Sequence, residues 1–463
     1  MRNENLRSKV NMPLVVKTTC LAMLLLMHSF FIFSQVQQGK AAGKNGITFT
    51  HEMTGQFIDS IRAVLTKRYI FQESAVIMSA YLDSQYKNGA YNLLTTSGEL
   101  GKKIFEDLQK AHPDKHFRLK YDPETAKQLL VPFNENQQKV KDSINLFNMR
   151  NNNYNFNKVE ILPGNIGYVE FTGFTELVKD ARPTVTAAFR FVMHTKSLII
   201  DLRNNHGGSP DMVNQVESYF FPVKMHMNDI VTRSPDSTIV FQTDPEKADS
   251  VILNMPVYIL TSRTTFSGAE DFAYAMQSTH RAVIVGDTTG GGAHPTALFN
   301  IGFGFIAGVP IARSVNPYTN TDWEGTGIYP DIPVPVSYAL SAAEKAIYKG
   351  EINKAGSAIE KQKLEWSMKY LLSQQSLEVA DSAELVKYTG LYEGGLNFYV
   401  NGHYLYCENR ERANRVYQLK YILPFQFVLD DKTEIEFIQD KAGKIEGCHL
   451  LASNGEVVNR TKQ

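Results

Sequence analysis

The chain has 463 residues, room for two to four domains at about 100 to 200 residues each. Its 48 Lys and Arg balance 48 Asp and Glu, which leaves no excess charge to hold a polyphosphate backbone or an anionic bilayer and excludes nucleic acid as the expected partner. Hydrophobic residues make up 43% with 27 Phe and 22 Tyr, enough for real cores, while a mean hydropathy of −0.25 excludes a polytopic membrane protein.

The chain opens with Arg2, Arg7, Lys9 and Lys17 ahead of an uncharged run from Thr18 to Ser34 that carries Leu21, Leu24, Leu25, Leu26, Phe30, Phe31 and Phe33. That layout predicts a secretory signal peptide over 1–34, with Ser34, or Ala41 and Ala42, as the small residues of a cleavage site. Removal is favoured over an uncleaved anchor, so no stable membrane insertion is expected. Cys20 stands at the start of the apolar run rather than after it, which argues against a lipid-modified cysteine. Two cysteines then remain, Cys407 and Cys448; in an oxidising compartment they form either a bridge or two separate buried thiols.

Residues 46–133 read as a helical module. Phe57, Ile58, Ile61, Val64 and Leu65 share one helical face, as do Leu100, Ile104, Phe105 and Leu108, and Thr96 with Glu99 has capping-box spacing before the second stripe. After the turn at His112, Pro113 and Asp114, the alternation of Phe117, Leu119 and Tyr121 with Arg118 and Lys120 predicts a strand with His116 at its mouth. The Asn- and Gln-rich stretch 134–157 is expected to be a linker or exposed loop.

From 158 to 337 short apolar strands alternate with helical stretches, which predicts an α/β class core of layered βα units with partly parallel strands. A charged helical arm follows over 338–380. The last segment, 381–463, turns to short aromatic strands with Asn401-Gly402 and Asn454-Gly455 as hairpin signals, an antiparallel β domain.

Two segments can carry chemistry. In Thr265-Phe266-Ser267-Gly268-Ala269-Glu270 a strand feeds a loop and Ser267 opens a helix, where unpaired N–H groups and the positive helix end can stabilise an oxyanion. Ser267 is thus a candidate nucleophile; read alone, Ser267 with Glu270 equally matches a plain helix cap. In Asp201-Leu202-Arg203-Asn204-Asn205-His206-Gly207-Gly208 a strand ends in a glycine pair at a strand-to-helix crevice, where an N–H of Gly207 or Gly208 can be aimed at a carbonyl, an ordinary tight turn being the alternative. Asp201 and Arg203 read as structural groups. No dinucleotide fingerprint, phosphate loop or Gly-x-Ser-x-Gly elbow is present. Ser84 to Lys87 has Ser-x-x-Lys spacing by chance, and no His, Cys and Asp cluster has metal-ligand spacing, so neither a metal nor a cofactor is expected.

Together the two segments, in this order and spacing, resemble the tricorn and carboxy-terminal processing group of serine peptidases. The similarity runs from about residue 55 to 335, with an N-terminal module like that of the interphotoreceptor retinoid-binding protein branch and no inserted PDZ domain. The resemblance implies a crotonase-like core and an exported serine hydrolase, a peptidase acting on peptides or proteins. Where the processing branch carries a lysine base, this chain has Gly291, which excludes a Ser/Lys dyad. The segments around His116 and around Trp323-Glu324-Gly325 resemble the tricorn motifs instead, which implies Ser267 as nucleophile, His116 as base and Glu324 as its orienter, with N–H groups of Gly208 and Gly268 in the oxyanion hole and Gly207 the lesser choice. Lys115 stands where tricorn has an additional serine. Among other histidines, His206 and His294 lie in glycine-rich loops near the expected site, while His51, His112, His194, His280 and His403 lack that setting. The C-terminal domain resembles lipocalin-like modules beside exported serine hydrolases. Competing readings are a non-catalytic binder of apolar ligands or peptides on this scaffold and an esterase or amide hydrolase. With His116 and Ser267 in different expected modules, movement between those modules would gate the site.

Overall fold

The computed structural model describes residues 47–131, 134–233, 235–375, 381–411 and 413–463. The expected export segment and its cleavage residues lie outside them. Among the described residues, no helix is long and apolar enough to cross a membrane. The chain divides into two compact units, one of residues up to 159 with 168–194 and 200–336, the other of 160–167, 195–199 and 337–463.

Three helices open the first unit: α1 (His51–Arg68), α2 (Gln72–Lys87) and α3 (Ser97–Ala111). Thr50 accepts from Met53 N–H at the start of α1, and Thr96 accepts from Glu99 N–H at the start of α3, as its spacing predicts. Their apolar faces enclose Phe57, Ile61, Leu100, Ile104 and Leu108. Strand β1 (Arg118–Tyr121) follows, then α4 (Pro123–Leu130) and α5 (Glu135–Asn151). The expected linker is thus largely helical. Asn134 accepts from Gln137 N–H at 2.9 Å and Gln137 Oε1 accepts from Asn134 N–H at 3.1 Å, so the amides that read as turn signals act as a capping box.

The remaining strands of this region are β2 (Phe156–Leu162), β3 (Ile166–Phe171), β4 (Ser197–Asp201), β5 (His226–Arg233), β6 (Asp236–Gln242), β7 (Val257–Thr261), β8 (Ala282–Gly286), β9 (Thr296–Asn300), β10 (Phe305–Pro310), β11 (Ala312–Val315) and β12 (Ile332–Pro333). A six-stranded sheet has the order β12-β8-β7-β4-β3-β2, parallel from β12 through β8 to β7. Helices α6 (Val178–Val192), α7 (Pro210–Glu217) and α8 (Gly268–Ser278) alternate with its strands, the layered α/β pattern expected.

One pairing decides where His116 goes. β1 lies antiparallel on β10 with Leu119 opposite Ala307, making a three-stranded sheet β1-β10-β9. Phe305, Ala307 and Val309 of β10 also enter the apolar core of α1 to α3. The expected helical module and α/β core therefore share a strand ladder and a core within one unit. That continuity leaves no seam at β1 for the gating motion expected between them.

In the second unit, α9 (Ala339–Lys354) and α10 (Ala358–Gln375) form the helical arm. Two antiparallel sheets follow, of strands β13 (Gly390–Tyr392), β14 (Leu396–Asn401), β15 (Tyr404–Asn409) and β16 (Arg415–Gln418), and of β17 (Lys420–Leu423), β18 (Gln426–Val428), β19 (Thr433–Gln439), β20 (Ile445–Ala452) and β21 (Val457–Thr461), each in chain order. Asn401 pairs with Tyr404, so the hairpin loop is Gly402-His403, one residue later than the expected Asn-Gly, and Gly402 takes φ +61°. Cys407 and Cys448 are free and buried in the aromatic core, and burial pushes both thiols up to about 12.

Candidate active site

Ser267 stands at the junction of β7 and α8 with φ 54° and ψ −121°, a backbone conformation sterically unfavourable for any residue with a Cβ. The loop before it is laced to the end of β4. Thr265 Oγ1 donates to Leu202 O at 2.8 Å, Ser262 and Thr264 hydroxyls donate to Arg203 O, and Phe266 N–H donates to Asn205 O at 3.1 Å. These bonds hold the two glycine-bearing turns together. A Cβ built on Gly207 would fall 2.9 Å from Ser267 Cβ and 2.7 Å from Gly268 N, and one on Gly208 would fall 1.9 Å from Phe174 O. At φ +92° and +142° respectively, both positions require glycine.

The same contacts separate the oxyanion-hole candidates. Gly207 N–H already donates to Asn205 Oδ1 at 2.9 Å, which removes it as a donor to a reacting oxygen. Gly208 N lies 3.1 Å from where a Gly268 Cβ would stand, and Gly268 is the first residue of α8, whose N–H has no partner within the helix. Asp201 and Arg203 pair with each other beside Tyr168, whose hydroxyl donates to Asp201 at 2.7 Å, so they are structural as expected.

Glu270 does more than cap a helix. Fully buried, its carboxylate accepts from Ser267 N–H at 2.9 Å, Gly291 N–H at 2.6 Å, Gly292 N–H at 2.9 Å and the Thr289 hydroxyl. Burial pushes it up to about 7 against these donors. One buried acid thereby fixes the serine turn and the glycine loop 290–292 in register. That loop is bonded in turn to the next one: Trp323 Nε1 donates to Gly292 O at 2.8 Å, Gly325 N–H to Gly291 O at 3.1 Å, and Ala293 N–H to Glu324 Oε2 at 2.6 Å. Lys115 Nζ donates to Gly290 O at 2.6 Å and Gly325 O at 3.3 Å, pinning both loops from the exposed side.

His116 meets Glu324 here. Its Nδ1 is 3.7 Å from Glu324 Oε2, the two side chains being 6% and 15% exposed. The backbone N–H of His116 donates to Asp114 Oδ1 at 2.8 Å, while Asp114 Oδ2 accepts from Tyr69 at 2.7 Å and contacts His294 Nδ1 at 3.0 Å. Burial works to raise the Asp114 carboxyl, but His294, Tyr69 and the His116 N–H outweigh it and hold the group at about 2. Burial likewise opposes and fails to offset the lowering of Glu324 by His116, His294 and Ala293 N–H. His294, 3.5 Å from Glu324 Oε2, is raised above the ordinary histidine range because Asp114 and Glu324 outweigh its desolvation. The structure thus brings together His116, Glu324, His294 and Asp114. Asp114 and Tyr69 are not among the expected site residues; the sequence signal for Asp114 is its place two residues before His116 in the same motif, and Tyr69 has none.

The serine contact differs from expectation. The Phe266 ring packs beside His116 with centroids 4.7 Å apart, and a Cβ on Gly292 would strike both rings. His116 Nε2 is buried without a hydrogen-bond partner, so the expected bond from Ser267 Oγ is not made. Nδ1 accepts weakly from His294 N–H at 3.4 Å, a tautomer with its proton on Nε2. Taking a proton from serine needs the other tautomer, with Nδ1–H turned to Glu324.

Residues 165–334 match the profile of peptidase family S41. The chain carries a peptidase family S41 domain. Over 188 residues it is 27% identical to a carboxy-terminal-processing protease of Bartonella bacilliformis, a match covering 38% of this chain and 41% of that protein, so the chain spans about two fifths of its relative. The photosystem II D1 C-terminal processing protease is similar at 15% identity and a TM-score of 0.41, over 63% of this chain and 94% of that one. The tricorn protease is similar at 12% identity and a TM-score of 0.38, over 63% and 35%. Ser267, Glu270 and Glu324 fall inside the S41 domain, whereas His116 and Asp114 reach it from outside, on the segment that leads into β1.

Proposed function

We propose that this protein is a serine peptidase that cleaves peptide bonds through an acyl-Ser267 intermediate. His116 takes the Ser267 proton and returns it to the leaving amine, Glu324 orients the imidazole and stabilises its charged form, and the N–H groups of Gly208 and Gly268 hold the tetrahedral oxyanion. The observation that carries this reading is the buried His116 and Glu324 pair beside Phe266, one residue from a serine on a strained strand-to-helix turn. Gly291 in place of a lysine base gives this histidine its role. Substrate binding completes the site by bringing Ser267 Oγ to His116 Nε2 and moving the imidazole proton to the Glu324 side. The basic and apolar pattern of residues 1–34 supports an activity outside the cytoplasm.

A fluorophosphonate probe tests the chemistry. It is expected to label Ser267 alone, mapped by peptide mass spectrometry, with labelling lost in His116→Ala and with peptide substrates turned over by the unlabelled chain. Labelling at Ser267 with hydrolysis of esters and no peptide cleavage would make the chain an esterase, and absence of labelling would leave a binding scaffold.

A further inference from the structure

Two groups close in sequence, Asp114 and His116, and a third from far along the chain, Glu324, converge in the first unit. Ligand atoms of Asp114, His116 and Glu324 lie within 4.8 Å of one another. His116 Nδ1 to Glu324 Oε2 is 3.7 Å, too long for a hydrogen bond, and Nδ1 is in its acceptor form toward His294 N–H. Glu324 Oε1 is buried and has no partner. The imidazole nitrogen and the two carboxylates thus converge on one point, with His294 Nδ1 between the carboxylates at 3.0 Å from Asp114 Oδ2 and 3.5 Å from Glu324 Oε2, and the unpartnered Glu324 Oε1 leaves acceptor capacity that a cation can take up. No sequence spacing announces this set, because Asp114 and His116 are local while Glu324 arrives through the loop zipped to 290–293.

We propose that these three residues form a regulatory site for a divalent cation of the zinc class, whose occupation withdraws His116 from catalysis. The donor set selects the ion. A neutral imidazole with two carboxylates suits zinc, whereas magnesium and calcium prefer oxygen alone. Tetrahedral zinc with bonds of about 2.0–2.2 Å places its ligand atoms roughly 3.3–3.6 Å apart, so the His116 and Glu324 atoms need almost no movement. Asp114 Oδ2 is held by the Tyr69 hydroxyl and by His294 Nδ1, which also neighbours Glu324 Oε2, and those contacts orient it as outer partners orient a ligating carboxylate. A ligand at Nδ1 prevents the protonation that turns the imidazole toward Glu324, and so blocks proton transfer from Ser267. Binding of the ion does not depend on the peptidase reading; only its inhibitory effect does.

The experiment uses the full chain as Ser267→Ala, stripped with EDTA, desalted and titrated with zinc chloride by calorimetry. One equivalent is expected to bind. Glu324→Gln and Asp114→Asn, which remove direct ligands, should each weaken it by at least the about 10- to 100-fold that loss of an outer partner costs, His116→Ala should abolish it, and His226→Ala, which removes a partly exposed His contact with Asp229, should leave it unchanged. Circular dichroism checks that each variant is folded, and cobalt in place of zinc should give a tetrahedral absorption band that His116→Ala loses. Absence of stoichiometric binding, or binding indifferent to His116 and Glu324, overturns the proposal. In the serine-bearing chain, zinc should stop peptide hydrolysis and EDTA restore it; binding at His116 in a chain that cleaves no peptide would sink the peptidase reading and leave the metal site standing.

Discussion

The two units are stabilised in opposite ways. In the S41 domain and the segment that supplies His116, the functional loops are held by buried polar groups: Glu270 under four donors, Asp114 under Tyr69, His116 and His294, and Ser267 at positive φ. In the C-terminal β region the centre is a ring cluster around Phe437, with Tyr388, Phe398, Phe427 and Tyr392 at centroid distances of 4.5, 5.1, 5.7 and 5.9 Å. Strain and buried charge fix geometry at a cost in stability, whereas aromatic packing contributes stability without placing any reactive group. Substitutions should therefore separate activity from folding according to region.

The largest effect is expected at Ser267. Ser267→Ala should lower peptide hydrolysis by about 10⁴-fold or more. Because alanine at φ 54° is as strained as serine, the midpoint of denaturant unfolding should stay close to that of the parent. A midpoint shifted by several molar units, or activity that survives, would break the contrast. Phe437→Ala should do the reverse, removing about 3–5 kcal/mol from the β region while kcat and KM for peptides, measured well below the unfolding transition, stay at parental values. A fall in kcat in the folded variant would show that the β region takes part in turnover.

Sequence made the contrast partly visible in advance. Periodicity gave the three N-terminal helices, the alternating α/β core and the aromatic strands, because each is a local pattern of apolar residues. Strands β17, β20 and β21 were less visible, since Lys420–Leu423 is brief and 445–452 and 457–461 mix polar residues with few aromatics. Helix α5 was hidden by its Asn and Gln content, whose role at Asn134 and Gln137 is to cap rather than to turn. At the site, motif likeness supplied Ser267, His116 and Glu324, yet the hub function of Glu270 required a fold that brings Gly291 and Gly292 back to it. The choice between Gly207 and Gly208 depended on a single side chain, Asn205, whose amide oxygen occupies the Gly207 N–H.

The smallest expected effect sharpens the comparison through pH. On the buried face of the serine-bearing helix, Asp271 is enclosed with Glu217, Asn214, Asn228 and Ser314; Asn228 Nδ2 donates to Asp271 Oδ2 at 3.0 Å and bonds Ser314 Oγ at 3.4 Å. Burial pushes Asp271 up to about 7 and, with Asp271 adding its repulsion, raises Glu217 as well. A carboxyl that keeps its proton longer when folded binds more protons than the unfolded chain between about 4 and 7. Stability must then fall as pH rises through that window and recover as pH is lowered from 8 to 5. Asp114, held at about 2, acts oppositely, but its contribution is lost only below about 4 and leaves the window untouched. Thermal unfolding of the S41 transition should accordingly move up by a few degrees between pH 8 and 5.5, since each kcal/mol is worth about 2–4 °C in a domain of this size. Glu270, which burial also pushes up to about 7, and the raised His294 add to the same slope, so Asp271→Asn should reduce it without abolishing it, while the transition of the β region, whose core is apolar, should not follow it. A slope of the opposite sign, or one that Asp271→Asn leaves wholly unchanged, would mean that Asp271 is ionised in the folded chain and that the serine helix carries a buried charge on its inner face.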